Sequence, residues 1–592
     1  MSNELNTGLG TSDVIWNLAD LYASPTDGAI VADGQACLAD ARDLEERYAG
    51  RVDKLNAIEL QQLVAALEAL STRLGKLATY AFLNFTTRTR DAGASALLQR
   101  VREIGSEAGK HTVFFELEWN KLEEAMAGEL LRAPELAHYR HHLENLRRYA
   151  PHQLSREEER LLIEIAPAGR SSWTNLFEKI FGHLQFGDRR RSEEEVLADL
   201  YHADRSVRRQ AAAELTAGIG SQQHILTHVF NTLLTDKMID DRLRRYPSWL
   251  SAMNLYNEVE PSTVAALVEA VTSRYDIVQR YYRLKRRLLD LPELTDFDRY
   301  APLPHLPDTT LTWQQAKEMV LGAFAEFSPE AAAIAATFYE RRWIHAPILE
   351  GKRGGAFAHP CVPEVHPYVM VNYTGNIRDV STVAHELGHG IHQFLAAGQG
   401  YFNSSTPLVL AETASVFAEL LLFRHQLETL ADPAQRRAFT CQKLESIFAT
   451  VFRQVAMNRF EDRVHTARRS EGELATETIN RHWLATQQEM FGDSVTLGGD
   501  YACWWSYIPH FVNSPGYVYS YAFGELLVLA LYNLYLHDRQ GFVPRYMGML
   551  AAGGSQSPAA LLAPFGIDLD DPTFWEGGLQ LIDSMLQSVE EQ

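Results

Sequence analysis

The sequence predicts a mainly α-helical protein with one small β-sheet. Leu60–Leu83 repeats apolar residues at helical spacing among good helix formers. Three capping boxes, each a serine or threonine placed three residues before a glutamate or glutamine, mark further helix starts. They are Ser155–Glu158, Ser192–Glu195 and Thr312–Gln315. Strand-forming residues are sparse and gather around 345–375.

Proline and glycine mark the remaining boundaries. Pro261-Ser262 and Ser328-Pro329 are helix-start signals, because proline suits the first helical position. The proline-rich stretch Ala301–Pro307 predicts a short break between elements. A softer boundary falls near 190–200, so the chain is predicted to divide into two parts there.

The composition is that of an ordinary globular protein. The chain has 592 residues, of which 46% are hydrophobic and 22% are charged. Its net charge of −21, from 55 basic and 76 acidic residues, opposes generic binding to nucleic acid or to an anionic membrane. We therefore expect neither as a partner.

The cysteines and the first residues bear on location. Cys37, Cys361, Cys441 and Cys503 are isolated and form no C-x-x-C pair, as is typical of a reducing compartment. The stretch 1–13 has neither the basic nor the apolar region of a signal peptide. The sequence contains no run of about 18 apolar residues, so we expect no transmembrane helix. We expect a cytoplasmic protein.

The most informative segment is His385-Glu386-Leu387-Gly388-His389, an H-E-x-x-H motif within a predicted helix, Thr382–Ala396. Residues i and i+4 lie on one helical face, so both imidazoles can bind one metal ion while Glu386 reaches a water on it. Chance alone gives such a motif in about one chain in twenty of this composition. Apolar residues at helical spacing around the motif supply the structural context that chance lacks. The pattern predicts a zinc hydrolase.

A catalytic zinc site usually has a third protein ligand. The pattern H-E-x-x-H-x-x-G-x-x-H is absent, because His392 and Leu395 occupy its last two positions. The next candidate is Glu412, on a predicted helix Leu408–Glu428 that also carries Glu419 on the same face. Acidic groups on an apolar helix are costly unless they bind something, so Glu412 is predicted as the third ligand and Glu419 as a partner of a ligand.

Two alternatives stay open for residues near the motif. The alternative interpretation of Glu412 is a solvated or salt-bridged helix residue. His392 is one turn beyond His389, where it is either a hydrogen-bonded core histidine, the interpretation we favour, or a support for the metal ligands.

Three segments together resemble the M3 family of zinc metallopeptidases, in its oligoendopeptidase F branch. They are H-E-L-G-H-G-I-H from His385, A-E-T-A-S-V-F-A-E from Ala411 and H-F-V-N-S-P-G-Y-V-Y-S-Y-A-F-G-E from His510. The resemblance extends over nearly the whole chain. It implies a helical N-terminal domain, 1–195, and a zincin-type catalytic domain, 196–592, enclosing a deep channel that admits short peptides.

The third segment is rich in hydrogen-bond donors. In the family, a histidine and tyrosines of this segment bind substrate and stabilise the oxyanion of the transition state. The resemblance carries these roles to His510 and Tyr521, and next to Tyr517. Tyr517, Tyr519 and Tyr521 cannot all share one helical face, so at least one of them is expected to pack rather than act.

The predicted mechanism follows from these groups. One zinc ion per chain, held by His385, His389 and Glu412, activates a water, and Glu386 is the general base that later delivers the proton to the leaving amine. Cobalt or manganese would suit the same ligands. The predicted activity is cleavage of internal bonds in short, unfolded peptides by a monomer or a homodimer.

Substrate contacts are predicted upstream of the motif. His366–Tyr373 is predicted to be a strand beside the metal-binding helix, where its edge would pair with an extended peptide. The glycine-rich Gly351–Phe357 is predicted to be a mobile loop or a hairpin turn. It lacks the residue order of a phosphate-binding loop.

Two rival functions differ in class or in cleavage site. A catalytically inactive helical binding protein would keep the metal site as a scaffold, although such a scaffold does not need Glu386. A carboxypeptidase would need a cation to anchor the terminal carboxylate of its substrate, and Lys352, Arg353 or Arg378 are candidates for that role.

Overall fold

The structure is a computed structural model that describes residues 2–166, 168–305 and 310–591. It is 72% helical, which confirms the predicted mainly α class. The first α-helices are α1 (Ser2–Leu9), α2 (Gly28–Tyr48), α3 (Ala57–Thr86), α4 (Ala92–Thr112), α5 (Phe114–Trp119), α6 (Glu124–Arg132), α7 (Arg140–Arg148), α8 (Arg156–Ile165), α9 (Arg170–His183) and α10 (Glu193–Asp199). The next are α11 (Arg205–Ser221), α12 (Gln223–Leu243), α13 (Ser251–Tyr256), α14 (Pro261–Ser273), α15 (Tyr275–Leu288), α16 (Trp313–Phe327), α17 (Pro329–Glu340), α18 (Ile377–Ala396) and α19 (Gly400–Asn403). The last are α20 (Leu408–Ala411), α21 (Thr413–Thr429), α22 (Pro433–Thr450), α23 (Phe452–Glu471), α24 (Thr476–Phe491), α25 (His510–Asn513), α26 (Tyr519–His537), α27 (Arg539–Ala552), α28 (Pro558–Leu562) and α29 (Pro572–Glu590). Short 3-10 helices lie at Val52–Lys54, Pro134–Leu136, Ala150–His152, Asp296–Tyr300, Ala397–Gln399, Gly499–Tyr507 and Ala563–Phe565.

Helix starts follow the local hydrogen-bonding signals. Ser155, Ser192 and Thr312 each accept a hydrogen bond from the backbone N–H three residues on, which confirms the three predicted capping boxes. Pro261 opens α14, and Ser328 caps α17, also as predicted. The predicted break Ala301–Pro307 lies partly outside the described residues.

The chain forms two compact units, each built from three segments. Unit 1 comprises 1–150, 308–429 and 534–567, and unit 2 comprises 151–307, 430–533 and 568–592. Each has its own apolar core, with Trp119 fully buried in the first and Trp483 almost fully buried in the second. The division of the sequence into 1–195 and 196–592, and the substrate channel, stay predictions.

A small sheet lies in unit 1. Its strands are β1 (Ile344–His345), β2 (Phe357–His359) and β3 (Tyr368–Met370), in the order β1-β3-β2. β1 pairs parallel to β3, and β2 pairs antiparallel to it with Ala358 opposite Val369. All three residues of β3 are fully buried.

The sheet order corrects one prediction. The strand predicted over His366–Tyr373 is present but covers only Tyr368–Met370, and it is the central strand. Its two edges are already paired, so it cannot hold a peptide. Within this sheet an extended peptide would instead pair with the outer edge of β2.

The glycine-rich loop between β1 and β2 is tied to the sheet. The ammonium group of Lys352 donates to the backbone oxygens of His345, Pro347 and Val371 at 3.3, 2.8 and 2.6 Å. These contacts engage Lys352, which weakens its candidacy as a carboxylate anchor. Arg378 is exposed near the start of α18.

Helix α18 carries the H-E-x-x-H motif and begins earlier than predicted. It starts at Ile377, five residues before Thr382, because Asn376 is the N-cap and accepts a hydrogen bond from Asp379 N. Thr382, the predicted first residue, therefore lies inside the helix.

Glycine lets α18 approach its neighbour closely. A Cβ atom at Gly388 would lie 2.5 Å from the backbone oxygen of Ala414 and 2.7 Å from the Cα of Ser415, both in α21. A Cβ atom at Gly390 would lie 2.7 Å from the ring of Phe338. These contacts offset the low helix propensity of glycine, which costs up to about 1 kcal/mol per residue.

No helix in the described part of the chain is both long enough and apolar enough to cross a membrane.

The close approach of α18 and α21 is testable by adding one methyl group. We expect Gly388→Ala to destabilise the protein by about 1–3 kcal/mol, because the new Cβ must push backbone atoms of α21 away. Calorimetric or chemical unfolding measures the effect. Gly398→Ala is the matched control, since nothing lies within 4 Å of its Cβ position. Equal stability of the two variants would contradict the packing argument.

Candidate active site

The two histidines of the motif meet on one face of α18. His385 and His389 are one turn apart, with ring centroids separated by 4.9 Å and ring planes at 84°. Their side chains are 25% and 19% exposed, so the pair lies in a half-buried pocket. The face relationship predicted from i and i+4 spacing is present.

Glu412 reaches both histidines from a break between two helices. The predicted continuous helix Leu408–Glu428 is divided, since α20 ends at Ala411 and α21 begins at Thr413. Glu412 Oε2 lies 3.3 Å from His385 Nε2 and 3.4 Å from His389 Nε2. Ser415 Oγ donates a hydrogen bond of 2.8 Å to the same carboxylate oxygen and thereby fixes its position.

These three side chains fit a metal ion. Their ligand atoms all lie within 4.8 Å of one another, and in the described part of the chain no other group of three or more such side chains does so. Tetrahedral coordination with bonds of about 2.0–2.1 Å places ligand atoms about 3.3–3.4 Å apart. The two distances to Glu412 match that edge, and two imidazoles with one carboxylate are a donor set of catalytic zinc sites.

Glu419 orients the first histidine, as predicted. Its Oε1 accepts a hydrogen bond of 2.6 Å from Nδ1 of His385. Since Nδ1 directs its proton to Glu419, Nε2 is the nitrogen that faces Glu412 and is left for a metal ion. The carboxylate thus sets the tautomer that a metal ligand needs.

The acidic groups make this pocket favourable for positive charge. Burial lowers the pKa of His385, but Glu412 and Glu419 outweigh burial and raise it to about 10. Burial raises the pKa of Glu412, but hydrogen bonds to the two imidazoles hold it well below its usual range. The field that stabilises an imidazolium here also stabilises a bound cation.

Glu386 is buried beside the histidines, with 6% of its surface exposed. Burial raises its pKa, while the two imidazoles and a hydrogen bond with the backbone of Ala358 act in the opposite direction. Ala358 belongs to β2, and Gln393 Nε2 of α18 donates to its carbonyl at 3.4 Å. Strand β2 therefore runs directly along the motif helix.

His392 is not part of the group formed by His385, His389 and Glu412. It is 6% exposed, and burial lowers its pKa to about 4. A neutral core histidine is the simpler interpretation, in line with the one favoured from the sequence.

A second cluster of predicted residues lies within unit 2. His510 Nε2 is 3.2 Å from the hydroxyl of Tyr521. The ring of Tyr517 stacks on His510 with centroids 5.9 Å apart and meets the edge of Tyr521 at 5.0 Å. All three side chains are partly exposed. Burial, with a smaller contribution from Arg453, lowers the pKa of His510 and favours its neutral form.

Tyr519 occupies a different environment from its neighbours. It is fully buried, and its hydroxyl accepts a hydrogen bond of 2.8 Å from Asn257 Nδ2. Its position is that of a packing residue, the role that the sequence expected for at least one of the three tyrosines.

Sequence reasoning missed several supporting residues. Ser415 had no predicted role, although a serine three residues after a carboxylate is within hydrogen-bonding reach of it. Asn376 at the start of α18 was overlooked, although asparagine is a strong N-cap. The contact of Ala358 with Glu386 had no local signal, because 28 residues separate them in the chain.

The chain belongs to peptidase family M3 and is a metallopeptidase. The sequence model of that family matches residues 199–581, and a model described as Oligopeptidase F matches residues 118–186. The resemblance found in the motifs is thereby confirmed.

Curated relatives align over nearly the full chain. Oligopeptidase PepF of Bacillus subtilis (strain 168) is 27% identical over 588 residues, covering 97% of this chain and 87% of the relative. An oligoendopeptidase F homolog of Lactococcus lactis subsp. lactis (strain IL1403) is 25% identical, covering 98% and 97%.

Solved structures share the fold. A crystal structure from Chlamydophila abortus, assigned as a peptidase, has a TM-score of 0.86 at 24% identity and covers 98% of both chains. Oligoendopeptidase-F from Enterococcus faecium has a TM-score of 0.72 at 23% identity, covering 94% of this chain and 97% of its own. The mainly helical architecture with a small sheet is thus that of known peptidases.

The role of Glu419 is testable through metal affinity. We expect Glu419→Ala to lower affinity for zinc by about 10- to 100-fold, because His385 loses the partner that sets its tautomer. Competition with a chelator measures the change. Glu428→Ala, an exposed carboxylate on the same helix, is the control. An unchanged dissociation constant in Glu419→Ala would show that the hydrogen bond does not support metal binding.

Proposed function

We propose that this metallopeptidase is a zinc-dependent endopeptidase that hydrolyses internal bonds of short, unfolded peptides. The observation that carries the proposal is the donor set of His385, His389 and Glu412 with the buried Glu386 beside it. The family membership and the names of the relatives support peptide hydrolysis.

The metal would be held by the three side chains of the donor set. Zinc is favoured because two imidazole nitrogens and one carboxylate oxygen leave one position open for water in a tetrahedral site. When bound, zinc supplies Lewis-acid activation of water and of the scissile carbonyl. Ser415 and Glu419 keep the ligands in place before any metal arrives.

We assign Glu386 as the general base. It takes a proton from the attacking water and later delivers that proton to the leaving nitrogen. Burial supports this role, because it raises the pKa of the carboxyl toward the range in which one group both accepts and returns a proton. Glu386 follows His385 in the motif but is not one of the three residues proposed to hold the metal.

We assign oxyanion stabilisation to His510 and Tyr521. Their 3.2 Å contact aligns two polar groups that can donate to a developing negative charge. Tyr517, which stacks on His510, is assigned a substrate contact. Chemistry and family resemblance support these roles.

Strand β2 is proposed to hold the substrate backbone. Phe357–His359 pairs with β3 along one edge only, and the strand runs beside Glu386. Main-chain hydrogen bonds along the other edge would accept extended peptides of many sequences. This mode suits a peptidase that selects for unfolded chains.

Location is a further part of the proposal. The cysteines Cys37, Cys361, Cys441 and Cys503 are all free, which supports a reducing, cytoplasmic compartment. We expect peptides as partners and no nucleic acid, in keeping with the net charge of −21.

The proposed activity is tested by digesting unstructured peptides of graded length and locating the cuts by mass spectrometry. We expect internal cuts in short peptides, loss of cleavage with a chelator, and no cleavage of a folded protein. Glu386→Gln should abolish turnover with zinc content unchanged, because the amide cannot accept the proton. Ladders from the C-terminus would instead indicate a carboxypeptidase, and no cleavage by the zinc-loaded protein would indicate an inactive scaffold.

The oxyanion assignment has its own test. We expect Tyr521→Phe to lower kcat by about 10²- to 10³-fold with little change in KM, because the lost donor acts on the transition state. Steady-state kinetics on one peptide measures both constants. The control is Tyr256→Phe, whose ring is 57% exposed. Loss of a donor to the transition state lowers kcat by at least about 10²-fold. A kcat within about twofold of the parent would therefore remove Tyr521 from the proposed mechanism.

A further inference from the structure

The residues of the second cluster are joined by a tight turn, Ser514–Tyr517. Pro515 and Gly516 occupy its two central positions, Gly516 has φ +81°, and Tyr517 N donates to Ser514 O at 3.1 Å. These are the features of a type II turn, which requires positive φ at its third residue. His510 precedes the turn, and Tyr521 follows it.

One backbone N–H of the turn, that of Gly516, is bound by the side chain of Glu461. Gly516 N donates a hydrogen bond of 2.9 Å to Oε1 of Glu461 in α23. Glu461 is only 1% exposed, and its other carboxyl oxygen is buried without a hydrogen bond. A buried carboxyl is costly, so its single contact with the turn is the interaction that offsets part of this cost.

The turn is closely packed against neighbouring side chains while Glu461 holds it. A Cβ atom at Gly516 would lie 2.8 Å from Leu250 and 3.3 Å from Trp249. Trp249 is itself anchored, because its indole N–H donates to Asp462 Oδ1 at 2.9 Å. Asp462 follows Glu461 in α23, so neighbouring residues of one helix hold both the turn and the wall against it.

A second anchor holds the chain just after the turn. Asn257 is fully buried and donates to the hydroxyl groups of Tyr519 and Ser520 at 2.8 and 3.0 Å. This contact fixes the first turn of α26, which carries Tyr521. The turn that contains Gly516 therefore connects α26 to the segment that carries His510.

We infer that Glu461 is a positioning residue, which sets the distance between His510 and Tyr521 by accepting the hydrogen bond of Gly516. The inference rests on the proposed roles of His510 and Tyr521 in oxyanion stabilisation. Loss of the acceptor leaves a buried N–H unpaired, and the turn relaxes to satisfy it. The 3.2 Å contact between the two side chains across the turn then lengthens.

The chemistry of Glu461 identifies the conservative variant. Burial raises its pKa to about 8, while the hydrogen bond from Gly516 and the charge of Lys237 act in the opposite direction. At neutral pH the group is therefore an uncharged acid that offers a carbonyl oxygen to the turn. Glutamine offers the same oxygen at the same reach.

The test compares three substitutions of Glu461 in the full-length, zinc-loaded enzyme. Glu461→Met removes the acceptor, and Glu461→Asp withdraws it by one methylene. We expect both to lower kcat by about 10- to 100-fold with a smaller change in KM, the cost of misplacing reacting groups. Glu461→Gln should stay within about threefold of the parent, since its acceptor survives.

A buried control separates positioning from general loss of stability. Ile582→Ala makes a cavity in the core of α29, a fully buried site in unit 2 that has no part in the turn. It should lower the melting temperature without lowering kcat. If Glu461→Met does not fold, the contrast between the aspartate and glutamine variants decides the matter.

Hydrogen exchange supplies a readout that does not depend on catalysis. We expect the peptide segment 514–521 to exchange faster in Glu461→Met and Glu461→Asp but not in Glu461→Gln.

In a Tyr521→Phe background, Glu461→Met should cost little further activity, because both changes act through one group. Unchanged exchange, or a glutamine variant as slow as the methionine variant, would overturn the inference. A Tyr521→Phe enzyme of normal kcat would refute the proposed oxyanion role, while exchange at 514–521 would still decide the role of Glu461.

Discussion

The proposed metal site depends on the close contact between α18 and α21 at Gly388. Two histidines on one helix define only one side of a coordination sphere, and the third donor comes from a different part of the chain. The backbone of Ala414 and Ser415 lies where a side chain at position 388 would be. Because this contact sets the separation of the helices, it also sets the 3.3 and 3.4 Å distances from Glu412 to the two imidazoles.

Around that contact, two of the three proposed ligands have a partner that limits their freedom. Glu419 holds His385 through Nδ1, and Ser415 holds the carboxylate of Glu412. The break between α20 and α21 places Glu412 at a helix junction, where the side chain can turn toward α18. The result is a preorganised set of donors, for which binding a cation requires little rearrangement of side chains.

Unit 2 uses the same principle with different chemistry. Its cluster of His510, Tyr517 and Tyr521 contains no carboxylate, and its geometry comes from a turn rather than from a helix face. Glycine is again required by the geometry. Position 516 has a positive φ, and a Cβ atom there would lie 2.8 Å from Leu250. In both units a glycine permits close packing against its backbone, and a carboxyl group, Glu419 or Glu461, accepts a hydrogen bond from the functional segment. The two carboxyl groups differ in their partners, because Glu419 accepts from an imidazole and Glu461 accepts from a backbone amide.

Local sequence determined the features that a few neighbouring residues control. The spacing of His385 and His389 placed both on one face, the three capping boxes located helix starts, and the motifs identified the family. Tertiary structure decided the rest. It divided the helix at Glu412, made Tyr368–Met370 the central strand, and buried Tyr519 against Asn257 while Tyr521 stayed partly exposed. Hydrogen bonds within one helical turn are encoded in adjacent residues, whereas strand order and the burial of one tyrosine depend on partners far away in the chain, 262 residues in the case of Asn257 and Tyr519. No local pattern records such partners, because they are chosen by the packing of the complete fold.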